Sequence, residues 1–266
     1  MTGAGRGLGA AIAQACAGAG WIVGVLDRDG SAAEEVALHI GGAAVALVAD
    51  TCAEAEVDRA LDTFAAATGC AAPHGLVANA GIVRFGPLAT VDLVDWRAVV
   101  DVNLTGTFVT CRAAARRMMT AGVAGSLVTV TSMNGVAPGP NAGAYGATKA
   151  AVALLTKQMA IEWGPNGIRS NAVAPGLIDA GMSEPIYADA DIRRQRAERV
   201  PLGRLGTARD VADAILFLLS DGAGYINGTE LVVDGGVTPS IIGTLPRPAG
   251  IGASDGVAPG QPADEA

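Results

Sequence analysis

Short apolar runs recur along the chain, each closed by a polar or glycine-rich step and followed by a longer stretch of helical character. Trp21-Ile22-Val23-Gly24-Val25-Leu26 is one such run and ends in Asp27-Arg28-Asp29. Residues 43–49, 75–78, 126–131 and 168–174 repeat the pattern. Strands that are apolar on both sides are covered on both faces, as parallel sheets are. Between the runs the sequence predicts a helix of small residues over 10–20, with Ile12 and Cys16 on one face, and a polar helix over 31–41. Further helices are expected over 54–67, 92–119 and 145–163. This alternation predicts parallel strands joined by right-handed crossovers, an α/β doubly wound parallel sheet in three layers. Residues 1–239 form one domain on this reading. Residues 182–205, rich in Arg, Asp and Ala, are expected to make a mobile helical lid. From Ser240 the chain turns to Pro, Gly and Ala with few large apolar residues, so 240–266 is expected to be a disordered tail.

Composition narrows the function. The 266 residues suffice for one large domain with a sizeable core, and an abundance of Gly and Ala suits close helix-on-sheet packing. A net charge of −8 without any basic run argues against a nucleic-acid partner. No run of apolar residues is long enough to span a membrane, and no signal-peptide pattern opens the chain. Cys16, Cys52, Cys70 and Cys111 lack paired C-x-x-C spacing and read as reduced thiols of a cytoplasmic protein. His39 and His74 are the only histidines, which argues against a zinc centre or a Ser-His-Asp hydrolase.

Candidate chemistry begins at Thr2-Gly3-Ala4-Gly5-Arg6-Gly7-Leu8-Gly9, a loop feeding the first helix. Glycines let the backbone turn sharply and approach a pyrophosphate, whose charge is favoured by free N–H groups and the helix dipole. Glycine-rich loops also simply turn. Asp27 strengthens the functional reading: it ends a strand 18 residues beyond Gly9, close to the ~20 expected of a ribose-binding carboxylate. It suits the 2′- and 3′-hydroxyls of NAD and repels the 2′-phosphate of NADP, a repulsion that Arg28 softens. Asn79-Ala80-Gly81 ends another strand at the sheet's carboxyl edge, where doubly wound sheets bind ligands.

Ser132 follows the 126–131 strand, and Tyr145-Gly146-Ala147-Thr148-Lys149 opens a helix. Residues four apart share a helix face. A lysine ammonium beside a phenol is expected to lower a tyrosine pKa from its ordinary ~10, letting Tyr145 exchange a proton with an alcohol or carbonyl oxygen. The Ser132 hydroxyl can hold that same oxygen. Lys149 and Lys157 are the only lysines among eighteen Lys and Arg residues. Arginine, whose charge is fixed, is no substitute in a proton relay.

Six motifs stand together in one order: Thr2-Gly3-x-x-x-Gly7-x-Gly9, Asn79-Ala80-Gly81, Asn103, Ser132, Tyr145-x-x-x-Lys149 and Pro175-Gly176. Through them the chain, from residue 2 to about residue 237, resembles the short-chain dehydrogenase/reductase family of single-domain type. The resemblance implies a Rossmann-like fold and hydride transfer between NAD(P) and a secondary alcohol or ketone. It implies Tyr145 as acid/base, Lys149 as the group that lowers its pKa and binds the nicotinamide ribose, and Ser132 as support for the substrate oxygen. Asn103 is carried over as the residue that kinks its helix and holds a water linking Lys149 to solvent. Cofactor contacts carried over are Gly3, Arg6, Gly7, Leu8 and Gly9; Asp27; Asp50 and Thr51 beside the adenine; Asn79, Ala80 and Gly81 at the adenosine ribose; and Pro175, Gly176 and Ile178. The segments 201–206 and 225–236 resemble the family's C-terminal region, which implies a homotetramer or homodimer.

Two departures stand out. The family's first strand is missing ahead of Thr2, which leaves its neighbours without partners and suggests a start upstream of Met1. Ala180 also replaces a threonine that often touches the nicotinamide carboxamide or pyrophosphate; the backbone around Ile178, or Ser183, are the alternatives. Val83, Phe85, Met133, Val136, Met182 and Tyr187 are candidate substrate contacts, mostly apolar, and Arg84 could meet an anionic group. NAD is expected over NADP. An NADPH-dependent ketoacyl-thioester reductase and a non-catalytic nicotinamide-binding protein remain as alternatives.

Overall fold

The computed structural model describes residues 1–240, so the expected tail lies outside the described residues apart from its first. Among those residues six strands form one parallel layer: β1 (Val23–Asp27), β2 (Ala44–Val48), β3 (Gly75–Ala78), β4 (Gly125–Val130), β5 (Ile168–Pro175) and β6 (Glu230–Val233). β1 pairs with β2, and β3 through β6 pair in sequence order. Between β1 and β3 only Thr2 makes a connection, pairing with Leu26 on one side and Ala78 on the other. Its N–H donates to Val77 O at 3.0 Å, and Leu26 N–H donates to Met1 O at 3.0 Å.

Helices cover both faces, giving the three layers expected. On one face α1 (Gly7–Gly18), α2 (Gly30–Ile40) and α10 (Ala208–Leu219) bury Ile12, Val36, Val211 and Ile215 with Val25, Val128 and Val173 of the sheet. On the other, α5 (Thr107–Ala121) and α7 (Tyr145–Trp163) bury Cys111, Met118 and Met159 against Leu76 and Leu127. There α3 (Glu54–Thr68) packs Val57 and Leu61 against Val109 and Ala113 of α5. Alanines at the contacts (Ala13, Ala114, Ala115, Ala212) let the helices sit close to the sheet.

Two expectations are corrected. β1 starts at Val23 rather than at Trp21, because Trp21 N–H donates to Cys16 O at 3.1 Å and closes the end of α1. The long helix expected over 92–119 is interrupted: α4 (Leu93–Val100) passes through a π-turn, Asp101–Gly106, before α5. From the first turn of α5, Thr107 Oγ1 donates back to Asn103 O at 2.7 Å and Thr110 Oγ1 to Gly106 O at 2.7 Å. Hydroxyls back-bonding to a helix carbonyl and an extra residue in a turn both loosen the regular helical ladder there.

After β5 the chain forms a single turn at Gly181–Ser183, then α8 (Glu184–Tyr187) and α9 (Ala190–Ala197), so the segment 182–205 expected as a helical lid carries two short helices, with turns over 198–205. Arg193 Nη1 reaches Asp179 Oδ2 at 2.5 Å and ties α9 to the loop leaving β5.

Candidate active site

The glycine loop lies between the carboxyl end of the layer and α1. The first helical bond of α1 is Ala10 N–H to Arg6 O at 3.1 Å, so the N–H groups of Gly7, Leu8 and Gly9 have no partner within the helix. At Gly9 a Cβ would stand 1.9 Å from Gly3 O, and at Gly7 (φ +52°) it would stand 2.6 Å from Gly181 Cα. Only glycine permits both approaches. The result is a cradle of bare backbone at a helix N-terminus, which suits a pyrophosphate. It also touches the turn that leads into α8.

Asp27 is buried at the end of β1, and its carboxylate accepts from Gly5 N–H at 3.0 Å and Asp29 N–H at 3.1 Å. It therefore fastens the glycine loop to the strand while keeping lone pairs for a ribose. Arg6 and Asp29 form an exposed ion pair at 3.6 Å. Asp50 is exposed, accepting from Cys52 N–H at 2.8 Å, whereas Thr51 is buried against Gly106 of the π-turn. Asn79 has a role beyond the expected one. Its side-chain amide donates to Thr2 O and Gly3 O, both at 3.1 Å, and holds the loop in place. Thr2 Oγ1 in turn accepts from the N–H groups of Asn79 and Ala80, both at 3.1 Å.

Ser132 sits just beyond β4 and is buried, its Oγ accepting from Asn134 N–H at 3.2 Å. Tyr145 opens α7, and Lys149 lies one turn on with its Nζ 5.6 Å from the Tyr145 ring centroid. That ammonium is buried and donates to Val130 O at 2.7 Å. Burial pushes the Tyr145 phenol up and the hydroxyl of Ser132 only partly opposes it. Burial also brings Lys149 down to about 8.

Asn103 is fully buried in the π-turn. Its Oδ1 accepts from Ile82 N–H at 2.8 Å, and its Nδ2 donates to Ile82 O at 2.9 Å and to Thr148 Oγ1 at 3.3 Å. It thereby locks the loop after Gly81 to α7 beside Lys149. Gly81 lies against both: a Cβ there would stand 3.2 Å from Asn103 Oδ1 and 3.5 Å from Lys149 Nζ. Pro175 ends β5, Gly176 N–H donates to Val233 O at 2.9 Å, and Ile178 is buried. Leu177 O and Asp179 N–H both bond to Gly206, so alternation turns the N–H and C=O of Ile178 to the opposite side.

Among the proposed substrate contacts, Phe85, Val136 and Met182 are exposed at 69%, 46% and 51%, on the segments that follow β3, β4 and β5. Tyr187 is instead buried. Arg84 pairs with Asp95 at 3.4 Å. Sequence reasoning missed Thr148 and the Val130 carbonyl. Thr148 carries the signal of a hydroxyl inside a helix, while a backbone carbonyl carries none. No group of three or more His, Cys, Asp or Glu among the described residues could hold a metal ion.

The chain is similar to known proteins over most of its length. A family model described as enoyl-(acyl carrier protein) reductase matches residues 3–238. The 3beta-hydroxysteroid dehydrogenase 1 of Eggerthella lenta is 37% identical over 246 residues, 90% of this chain and 92% of its own length. A protein of Xanthobacter autotrophicus named inactive 2-(S)-hydroxypropyl-CoM dehydrogenase 2 is 39% identical over 231 residues, 85% of this chain and 99% of its own. The crystal structure of a gluconate 5-dehydrogenase from Burkholderia cenocepacia in complex with NADP and tartrate superposes with a TM-score of 0.84 at 36% identity, covering 90% of this chain and 94% of that one. The chain belongs to the short-chain dehydrogenase/reductase family. Within it, this protein is an NAD(P)-dependent alcohol dehydrogenase.

Proposed function

We propose that the protein interconverts an uncharged, moderately apolar secondary alcohol and its ketone, with NAD(H) as the preferred cofactor. The supporting observation is the meeting of Ser132, Tyr145 and Lys149 at the carboxyl edge of the sheet, below loops that present Phe85, Val136 and Met182. The glycine cradle, Asp27, Lys149 and the backbone at Ile178 are the groups that would hold the cofactor, with Asp50, Thr51, Asn79 to Gly81, Pro175 and Gly176 around them. When bound, a nicotinamide supplies or accepts the hydride. Tyr145 gives its proton to the ketone oxygen in reduction and takes it from the alcohol in oxidation. Ser132 donates a hydrogen bond to that oxygen and keeps it in reach. Lys149, with its pKa near 8, exchanges protons close to neutral pH.

Asp27 supports NAD, since its carboxylate would face a 2′-phosphate across a short distance. One observation favours a second reading with NADP(H): the Burkholderia relative was solved with NADP, and Arg6 and Arg28 are both exposed beside Asp27. Separate titrations with NADH and NADPH decide between them. Tighter NADH binding is expected, and equal or tighter NADPH binding would overturn the preference. A panel of cyclic alcohols, sterols, polyols, carboxylates and acyl thioesters tests the substrate class. Turnover confined to the last two would sink it.

The four thiols are all free, in keeping with a cytoplasmic location. Leu93, Val94, Phe108, Leu154 and Ile161 leave α4, α5 and α7 with exposed apolar positions, which supports a homotetramer or homodimer. Sedimentation as a monomer at micromolar concentration would rule that assembly out.

A further inference from the structure

Ser132 is held from two sides. Downstream it caps α6 (Met133–Val136), its Oγ accepting from Asn134 N–H at 3.2 Å. That short helix lies tight on α7, where a Cβ at Gly135 would stand 2.8 Å from Ala150 N. Upstream Ser132 follows Thr131, a buried residue just past the end of β4. Thr131 N–H donates to Val173 O of β5 at 2.8 Å and continues the sheet ladder. Its side chain makes a second connection that reaches further.

The Thr131 hydroxyl lies 2.6 Å from Glu230 Oε1 and 3.0 Å from Val173 O. A hydroxyl has one proton to give. Val173 O already accepts the Thr131 amide, and a carboxylate at the shorter distance is the stronger acceptor. The hydroxyl therefore donates to Glu230. β4 and β6 flank β5. Thr129, Ala172 and Glu230 stand level across the three strands and share a face, and Thr131, two residues on, shares it too. The Glu230 side chain thus crosses β5 and ties β6 to the end of β4. Beneath the crossing β5 carries only Ala172 and Ala174, both fully buried, which leave it room. Half-buried, the Glu230 carboxylate is paired here with a hydroxyl rather than with a cation.

We propose that Glu230 is a positioning residue for the reaction: by holding the Thr131 hydroxyl it sets the point at which the chain leaves β4, and so the place of the Ser132 hydroxyl. The inference rests on the reading of Ser132 as the support of the substrate oxygen. Asn134 N–H occupies a lone pair of Ser132 Oγ, which leaves the Ser132 proton for that oxygen. A shift of the backbone at Thr131 then moves the donor directly. Misplacing a catalytic group by ~1 Å can cost about 10²-fold in rate, and losing one of two anchors gives part of that displacement. A residue 99 positions further along the chain is in this way coupled to the site.

Amide hydrogen exchange and turnover test this in Glu230→Gln, Glu230→Ala and Thr131→Val, and in Ser132→Ala with and without Glu230→Ala. Glutamine keeps an acceptor of the same reach, whereas the alanine and valine forms each remove one partner. Exchange at Asn134, whose N–H is held by Ser132, is expected to quicken roughly tenfold relative to Val128 of β4 in Glu230→Ala and Thr131→Val. In Glu230→Gln it is expected to stay native. Unchanged exchange at Asn134, or equal quickening at Asn134 and Val128, would overturn the proposal. With NAD and cyclohexanol, Glu230→Ala is expected to lower kcat about tenfold at an unchanged KM for NAD, and Glu230→Gln to restore most of it. In the Ser132→Ala background Glu230→Ala should cost nothing more, as for groups that act as a unit. An equal loss in both backgrounds would show that Glu230 does not act through Ser132. Exchange needs no substrate, so it decides the positioning even where cyclohexanol is not turned over. Undiminished turnover in Ser132→Ala alone would overturn the role of Ser132 and this inference with it.

Discussion

Lys149 stands one helical turn from Tyr145, its Nζ 5.6 Å from the ring centroid, yet it spends its hydrogen bond on the carbonyl of Val130 at 2.7 Å. Burial governs both groups, holding the phenol protonated and bringing the ammonium within reach of neutrality. Tyr145 is therefore poised as an acid in the free protein. Ketone reduction is expected to exceed alcohol oxidation at pH 7, and oxidation to gain as pH rises. A pH series of initial rates in both directions checks this.

Tyr145→Phe removes the proton carrier and leaves the ring. A loss of about 10²–10⁴-fold in kcat is expected, with NADH affinity nearly unchanged. Stopped-flow turnover beside a fluorescence titration separates the two. Retained turnover would move the acid/base role to another residue.

Lys149→Met is expected to stabilise the fold while destroying activity. Lys149 has a pKa of about 8 in the fold against an ordinary 10.5. Below pH 8 both folded and unfolded chains carry the proton, and the fold suffers the whole desolvation penalty, about 3 kcal/mol. Between pH 8 and 10.5 only the unfolded chain binds it, so the stability of the native protein rises with pH. Allowing about 1 kcal/mol for the orphaned Val130 carbonyl, the variant should gain about 2 kcal/mol at pH 7 and lose that advantage by pH 10.5. Urea unfolding at the two pH values measures it; a constant difference would contradict the assignment.

Asn103→Ala strips partners from the N–H and C=O of Ile82 and from Thr148. A destabilisation of about 2–4 kcal/mol follows from leaving such groups buried and unpaired. Denaturant midpoints at constant m-value give the number, and a change below about 0.5 kcal/mol would show that water replaces the side chain at no cost.

Asp27→Asn keeps an acceptor for Gly5 N–H but removes the charge. NADPH binding is expected to improve roughly tenfold, about 1–2 kcal/mol of relieved repulsion. If only the melting temperature changed, Asp27 would be a fastener of the loop without a part in selectivity.

Much of the site was legible because its signals are local. Gly3, Gly7 and Gly9 read as a loop before a helix, and Tyr145 and Lys149 read as one helical face, since both patterns depend on spacing along one element. What escaped notice depends on tertiary partners. Val130 offers Lys149 a backbone carbonyl, which no side-chain pattern announces. A helix break at Asn103 is implied by the resemblance, but the bonds of that side chain to Ile82, on a loop 21 residues earlier, depend on a tertiary partner. Trp21 is as apolar as the strand it precedes, but its N–H is used by α1. Asn79 reads as a ligand contact from its place at a strand end, but the bonds of its side-chain amide to the carbonyls of Thr2 and Gly3 join parts of the chain more than 70 residues apart, which local spacing does not announce.

The layer is divided into a pair of strands and a set of four, with Thr2 the residue that pairs with both. Asp27 rides on the pair, while Ser132, Tyr145 and Lys149 ride on the four. A dinucleotide gripped at its ends by Asp27 and Lys149 would act as a strut across that seam, holding the halves in alignment. At a hundredfold excess over Kd such a ligand adds about 2.7 kcal/mol to the folded state. Heating the free protein should loosen the β1–β2 flap first, and the cofactor should erase that early step by making the two parts melt as one.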